Sequence, residues 1–441
     1  MPPRQLQTLA NDKWLTQIAS HGSPPPRLYA WTAANLSGTG AHNREPRKDN
    51  DSRRIHMLGI GNIGRLFASN LASLPDRPPI TLILRRPELL AKWYSINCQG
   101  IQIVRPGVDG SGNKTSSHKS AFDVECWCET PPPHGPIHHP FPVNKLIVTT
   151  KAASALPAVD RLRRYLAPDC AVVMVHNGVS PLWPPHGDEY LEQRYPNGGA
   201  PRFFSAVTSH ALWSMGDFCS MHVAPGDSVM GPILPAGPNG DIEASSPCPE
   251  TPSAGQGLMQ QIKAAKGLQF RSVAWRELWL LQLDKLVVNT TINPLASVLR
   301  CKNGQLFENS HDSVIPLIMD RLLQETCHVI QALVSHPASC PMVGPDGVEP
   351  LNQRYTVCQM RDMVCDIGKR SAANTCSMLQ DVQAGRLTEV SELNGWLLDT
   401  AARLGCMALP THGALVDLVK GRVALSKEEL ARRLVLKEKA L

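Results

Sequence analysis

Arg54-Ile55-His56-Met57-Leu58-Gly59-Ile60-Gly61-Asn62-Ile63-Gly64-Arg65-Leu66-Phe67-Ala68 is the stretch on which the fold of this chain turns. Its first five residues form a short apolar run of strand character. A glycine turn follows, and from Arg65 to Ala72 apolar residues recur at helical spacing. Strand, glycine turn and helix in that order make a phosphate cradle: Gly59 permits the tight turn, Gly61 lets backbone approach a pyrophosphate, and Gly64 lets helix and strand pack closely. A bare GxGxxG in a chain with 32 glycines is a weak signal, and its flanks are what raise it. Gly59, Ile60, Gly61, Asn62, Ile63 and Gly64 are therefore candidate dinucleotide-binding residues.

The next apolar run, Pro79-Ile80-Thr81-Leu82-Ile83-Leu84, ends where an NAD enzyme places an acid on the ribose hydroxyl, roughly 20 residues after the glycines. Here the run ends in Arg85-Arg86. Guanidinium groups suit a 2′-phosphate through paired, charge-assisted hydrogen bonds and leave a bare ribose without its acceptor. The expected cofactor is NADP(H), held at Arg85. Arginines at a strand end can also be merely solvated.

Further along, Lys145-Leu146-Ile147-Val148-Thr149 and Ala171-Val172-Val173-Met174-Val175 bracket a helical stretch from Ala152 to Leu166, a βαβ unit that implies a parallel sheet. Phe203–Thr208 and Ser228–Met230 add strands. Pro106–Pro142 is polar and reads as a surface insertion. Its His134, His138 and His139 have no carboxylate or cysteine at a ligand spacing, so a solvated loop is favoured over a metal site. Beyond a Gly/Pro/Ser-rich segment the pattern turns helical almost throughout: Leu258–Leu268, Trp275–Val298, Val314–Val334, Arg354–Lys369, Ser377–Gln383, Val390–Leu404 and Gly413–Val419, with a loop over His336–Pro350. The expected fold is α/β: an N-terminal Rossmann-type doubly wound sheet followed by an all-α C-terminal domain. Residues 1–53 read as a flexible extension, 54–234 as the NADP-binding domain, 235–256 as a linker and 257–441 as the helical substrate and catalytic domain. Ligand is expected in a cleft between the helical domain and the carboxyl ends of the strands.

The 441 residues suffice for two or three domains, and 42% hydrophobic against 19% charged residues is an ordinary globular balance. A net charge of +6, dispersed along the chain, forms no nucleic-acid stripe. No apolar run reaches membrane-spanning length. Thirteen cysteines, scattered and without a CxxC pair, fit reduced thiols inside a cell better than disulfides or zinc; Cys126-x-Cys128 is the closest spacing. In the extension, Leu6, Ala10, Trp14 and Ile18 share a helical face with Arg4 and Lys13 nearby, a pattern found in transit peptides and in disordered tails alike. The expected location is intracellular, cytoplasmic or mitochondrial, and a homodimer is compatible with the chain.

Within Trp279–Leu295, Lys285, Asn289 and Asn293 repeat every fourth residue and share one face of a helix. A lone helix lysine is usually solvated. This one lies among Leu283, Leu286, Val287 and Val288, whose burial would ease loss of its proton. Such a lysine can donate a proton to a ketone oxygen while a hydride reaches the carbon, and the asparagines can orient a polar substrate.

At these residues the chain resembles the ketopantoate reductase (2-dehydropantoate 2-reductase) family. The resemblance spans roughly residues 54–425 and rests on Gly59–Gly64, Val148-Thr149-Thr150-Lys151-Ala152, His176-Asn177-Gly178, Thr208-Ser209-His210, Glu277 to Leu295, Cys376 to Asp381, and Thr388-Glu389 with Leu393-Asn394-Gly395. It implies that Lys285 is the general acid, that Glu389 assists through a substrate hydroxyl, and that Asn289, Asn293 and Ser377 bind substrate. It further implies that Arg85 holds the 2′-phosphate, and that Lys151 and Asn177 contact the cofactor and the reaction centre. The implied reaction is NADPH-dependent reduction of 2-dehydropantoate to (R)-pantoate, a step toward pantothenate and coenzyme A. Two alternatives stay open: reduction of another 2-keto acid, and a catalytically silent NADP(H)-binding protein on the same fold.

Overall fold

The structure, a computed structural model, describes residues 24–36, 51–95, 100–106, 114–119, 121–183, 186–233, 254–308, 314–345 and 347–435. They divide into two compact units. The sheet unit contains the described residues through His176 together with Gly187–Leu278, and the helical unit contains Asn177–His186 and the chain from Trp279 onward.

The sheet unit is built from β1 (Tyr29–Trp31), β2 (Ile55–Leu58), α1 (Asn62–Leu71), β3 (Ile80–Leu84), α2 (Pro87–Ser95), β4 (Ile101–Pro106), β5 (Lys114–Lys119), β6 (Asp123–Cys128), β7 (Val143–Val148), α3 (Ala152–Leu162), β8 (Leu166–Val175), α4 (His186–Arg194), β9 (Arg202–Thr208), β10 (Ala211–Gly216), β11 (Cys219–Ala224), β12 (Ser228–Pro232), α5 (Ala254–Ala264) and β13 (Phe270–Ser272). Nine strands form one sheet in the order β1-β6-β3-β2-β7-β8-β9-β12-β13. The six from β6 to β9 run parallel. Numbered along the chain, those six lie in the order 3-2-1-4-5-6, the doubly wound arrangement whose winding reverses between its first and fourth strands. Here the reversal falls between β2 and β7, so the glycine turn after β2 and the Thr149–Lys151 turn after β7 flank the crevice where such sheets bind ligands. Both faces of β2 and β3 are buried, as continuous apolar strands require. The core gathers Ile55, Met57, Leu66, Leu82, Trp93, Ile147 and Val173.

A second sheet, β10-β11-β4-β5, packs against the first through Trp93, whose ring meets Phe218 edge-on at 4.8 Å and Phe122 at 6.2 Å.

Four expectations are corrected here. Residues 24–36 are not a flexible extension. β1 pairs antiparallel with β6 at the sheet edge, and Leu28, Ala30 and Ala33 are buried. The proline-rich stretch hid the short apolar run Leu28–Trp31 behind it; the amphipathic stretch around Leu6–Ile18 lies outside the described residues. The supposed insertion at 106–142 supplies β5 and β6, and β6 is an inner strand of the main sheet. Its histidine segment docks the N-terminal residues: Ala30 N donates to His138 O at 2.9 Å, Asn35 Nδ2 to His134 O and Pro136 O, both at 2.8 Å, and His139 Nδ1 lies 2.9 Å from Leu28 O. The helical domain does not begin at 257, because α5 packs on β8 and β13 extends the sheet beside β12. Finally, the stretch 336–350 carries a short helical segment over Cys340–Val343, and Glu349 begins another helix.

The helical unit holds α6 (Trp275–Leu299, whose first turn belongs with the sheet unit), α7 (Ile315–Ser335), α8 (Cys340–Val343), α9 (Glu349–Arg354), α10 (Val357–Arg370), α11 (Ser377–Gln383), α12 (Val390–Leu404), α13 (Pro410–Lys420) and α14 (Lys427–Val435). α7 is the hub against which α9, α10, α12, α13 and α14 pack. Its buried residues Ile315, Ile318, Met319, Leu322, Leu323, Thr326, Cys327 and Ile330 recur at the three- and four-residue spacing that makes one helical stripe. No described helix is long and apolar enough to cross a membrane.

Candidate active site

In the sheet unit the geometry of the glycine turn fits a pyrophosphate. Gly59 sits at φ +97°, a conformation costly for other residues, and a Cβ there would press on Thr150. A Cβ at Gly64 would collide with the Gly59 carbonyl and the Thr149 hydroxyl, which themselves hydrogen-bond to each other. At Gly61, by contrast, nothing among the described residues lies within 4 Å of an added Cβ. Gly61 is the N-cap of α1, no side chain caps the helix there, and its first turn carries no acid. Amides of a helix start facing open space, with no acid in the first turn, are what a phosphate group requires.

The turn is braced from the second sheet. Arg65 Nε donates to Ile60 O at 3.1 Å, and its Nη1 reaches Gly216 O at 2.9 Å and Cys219 O at 2.6 Å. Ser220 Oγ donates to Asn62 Oδ1 at 2.8 Å. Asn62 is thus a strut of the turn, and Ile60 and Ile63 pack on the core, so the side chains of these three are engaged within the protein and only their backbone is left to face a ligand. Arg85 and Arg86 follow β3 and are exposed. The Arg85 guanidinium is held below its ordinary range by partial burial first and by the charge of Arg161 second. Lys151 is the N-cap residue of α3.

In the helical unit α6 is buried on almost all sides. From Leu286 to Val298 every residue is buried except Asn289. Within the polar row, Lys285 and Asn289 are partly accessible and Asn293 is buried. Crowding by surrounding protein pulls the Lys285 ammonium down to about 8, against the Glu389 carboxylate, which favours its charged form. Asn177 Nδ2 donates to Glu389 Oε2 at 2.9 Å. Asn177 thus stands with Glu389 in the helical unit; the resemblance drawn from sequence implied that it contacts the cofactor and the reaction centre. Ser377 is exposed at the first position of α11, and Cys376 just before it ties that helix to α6: Cys376 Sγ lies 3.7 Å from Asn293 O and 4.0 Å from Ser297 Oγ.

Lys285, Asn289, Asn293, Glu389, Asn177 and Ser377 all belong to the helical unit, and Gly59–Gly64, Arg85 and Lys151 to the sheet unit. The structure joins Glu389 to Asn177 by a hydrogen bond and to Lys285 by charge, and it ties Cys376, the residue before Ser377, to Asn293. Among the described residues no cluster of His, Cys, Asp or Glu could hold a metal ion.

Sequence reading missed the residues that support these groups. Asp284, next to Lys285, accepts from Tyr355 OH at 3.1 Å and pairs with Arg354. Arg65 and Ser220 brace the turn, and Asn394 and His412 stand behind α6. Pro294 inside a long helix was the one signal that could have pointed to the last pair.

A unit built on a doubly wound sheet with an open glycine turn, and a second, helical unit bearing a crowded lysine and a carboxylate, define the class of two-part dinucleotide-fold proteins. The chain belongs to the ketopantoate reductase family: the family model described as ketopantoate reductase PanE/ApbA matches residues 55–235, and that described as its C terminal matches 277–423. Ketoisovalerate reductase BEA2 of Gibberella fujikuroi is 35% identical over 461 residues, covering 96% of this chain and 98% of that protein. Ketoisovalerate reductase of Beauveria bassiana is 34% identical over 96% of this chain and 98% of its own. The probable 2-dehydropantoate 2-reductase of Schizosaccharomyces pombe is 24% identical, covering 85% and 97%. The fold is shared with D-mandelate dehydrogenase solved with NADH and anilino(oxo)acetate (TM-score 0.56, 16% identity, 86% of this chain and 99% of that one). It is shared also with a PanE/ApbA family ketopantoate reductase from Ralstonia eutropha JMP134 (TM-score 0.55, 17% identity, 84% and 98%).

Proposed function

We propose that the chain is an NADP(H)-dependent reductase of a branched 2-keto acid, with 2-ketoisovalerate ahead of 2-dehydropantoate as its substrate. The observation that carries the reading is the Lys285–Glu389–Asn177 group: a crowded lysine on α6, pulled down to about 8, with a carboxylate acting on its charge and Asn177 bonded to that carboxylate. A bound nicotinamide would supply the hydride. Lys285 would give a proton to the ketone oxygen as charge develops there, Glu389 would keep that lysine charged between turnovers, and Asn289, Asn293 and Ser377 would orient the keto acid.

The order of substrates departs from the resemblance drawn from sequence, which put 2-dehydropantoate first. Support for the change comes from the relatives at 35% and 34% identity over nearly whole chains, both named ketoisovalerate reductases. The two keto acids differ by a hydroxymethyl group, and a pocket discriminates strongly against a missing hydroxyl only where it is built to bond one. The test is NADPH oxidation by the purified protein with 2-ketoisovalerate, 2-dehydropantoate and pyruvate. The expected order of kcat/KM is the order in which they are written; 2-dehydropantoate in first place would return the chain to pantoate synthesis, and no turnover with any would support a silent binding protein. NADP(H) rests on Arg85. Arg85→Ala should raise KM for NADPH far more than for NADH, since a charge-assisted bond to phosphate is worth roughly 1.5–3 kcal/mol. An equal rise for both would move the role to Arg86.

A further inference from the structure

Pro294 lies inside α6, between Asn293 and Leu295. A proline there lacks the N–H that would reach back to the carbonyl four residues earlier, which is Thr290 O. That carbonyl is fully buried, and an unpaired buried carbonyl is costly. Asn394 on α12 occupies the gap: its Nδ2 donates to Thr290 O at 2.9 Å. The same nitrogen lies 2.9 Å from His412 Nδ1 on α13. An amide nitrogen has two hydrogens, and here each has an acceptor, while Asn394 Oδ1 meets no donor among the described residues. The reverse orientation of the amide would set its oxygen against two acceptors.

His412 is fully enclosed, and its Nδ1 must accept, so its proton sits on Nε2, facing Thr326 Oγ1 at 2.9 Å and Leu322 O at 3.2 Å on α7. Burial pulls the ring down to about 4 and keeps it neutral. Glu325, also on α7, fixes the start of α13 by accepting from Thr411 N at 2.9 Å and His412 N at 3.1 Å. A continuous polar chain thus runs from the hub helix through His412 and Asn394 to the one peptide of α6 that Pro294 leaves open, and that peptide lies between Asn289 and Asn293.

We propose that Asn394 and His412 are positioning residues for the polar face of α6, the Asn394 amide standing in for the N–H that Pro294 lacks. The assignment rests on the reading of Lys285 and its row as the reacting face. Asn394→Leu should lower turnover about 10- to 100-fold through misplacement of that row, with the NADPH dissociation constant changed by no more than about twofold. Pro294→Ala returns an N–H to Thr290 O, so the Pro294→Ala/Asn394→Leu double variant should recover most of what Asn394→Leu loses. His412→Asn, which keeps an acceptor for Asn394, should stay nearer the parent than His412→Leu. A readout independent of any substrate is the pH midpoint for acetylation of Lys285, followed by mass spectrometry: about 8 in the parent and higher in Asn394→Leu as the helix loosens. Additive losses in the double variant, or an unmoved Lys285 midpoint in folded Asn394→Leu, overturn the proposal even if the protein proves to reduce no 2-keto acid. If Asn394→Leu alone does not fold, a folded and active double variant supports the proposal and an unfolded one overturns it.

Discussion

At the scale of single residues, the informative number is the pull of Lys285 down to about 8 by burial, with Glu389 acting in the opposite sense. A proton donor works only in its charged form, so turnover should be full below that value and fall as pH rises through it. Glu389→Gln removes the charge that favours the ammonium, and the alkaline limb should then move to lower pH; a limb that stays in place would show that the two groups are uncoupled. Lys285→Ala should lose roughly 10²–10⁴-fold in turnover, the usual contribution of a general acid, while NADPH still binds. Near-normal turnover in saturated, folded Lys285→Ala would remove Lys285 from the chemistry. That Lys285 would be crowded was legible from Leu283, Leu286, Val287 and Val288 around it. That residues 177 and 389 belong with it came only from the family resemblance, because a pairing across 212 positions leaves no periodic trace in sequence.

At the scale of elements, the glycine turn separates two uses of the same residue type. Gly64 has no room for a side chain, since a Cβ would run into Gly59 and Thr149, whereas Gly61 faces open space. Gly64→Ala should lower both the thermal midpoint and NADPH affinity, because strand and helix must move apart. Gly61→Ala should leave the midpoint where it is and weaken NADPH alone, because the methyl fills only the room a pyrophosphate would take. Equal thermal loss in both variants would show that the space at Gly61 is not reserved for a ligand. Strand, turn and helix here were legible because apolar periodicity and glycines coincide within fifteen residues. The same reasoning failed for β6, where Glu125 and the cysteines broke the apolar run of an inner strand. Burial of Glu125 is supported by Trp127 Nε1, which donates to its Oε2 at 2.7 Å, a partner that strand patterning alone does not announce.

At the scale of the whole molecule, the two segments that sequence reading set aside as appendages, residues 24–36 and 129–139, hold each other within the sheet unit. Asn35 spends its amide on the His134 and Pro136 carbonyls, Trp31 Nε1 donates to Thr130 O at 3.0 Å, and a Cβ at Gly135, which sits at φ +75°, would strike the Ala34 carbonyl. β1 also covers the outer edge of β6, which would otherwise present an unpaired row of peptide groups. Were residues 1–53 a flexible extension, a chain starting at Ser52 would be as stable as the full protein; the pairing of β1 and the burial of Leu28 predict the opposite. Removing Leu28 alone exposes the partners of a fully buried leucine, worth roughly 1.5–3 kcal/mol, and the bonds of Ala30 and Asn35 are lost with it. The chain beginning at Ser52 should therefore unfold at least about 5 °C below one beginning at Pro24, as judged by calorimetry at equal concentration. It should also be more prone to aggregate through the bared edge of β6. NADPH affinity should suffer less than stability, because the glycine turn follows β2, two strands inward from β6. Equal thermal midpoints for the two chains would mean that β1 and its docking loop add nothing to the sheet.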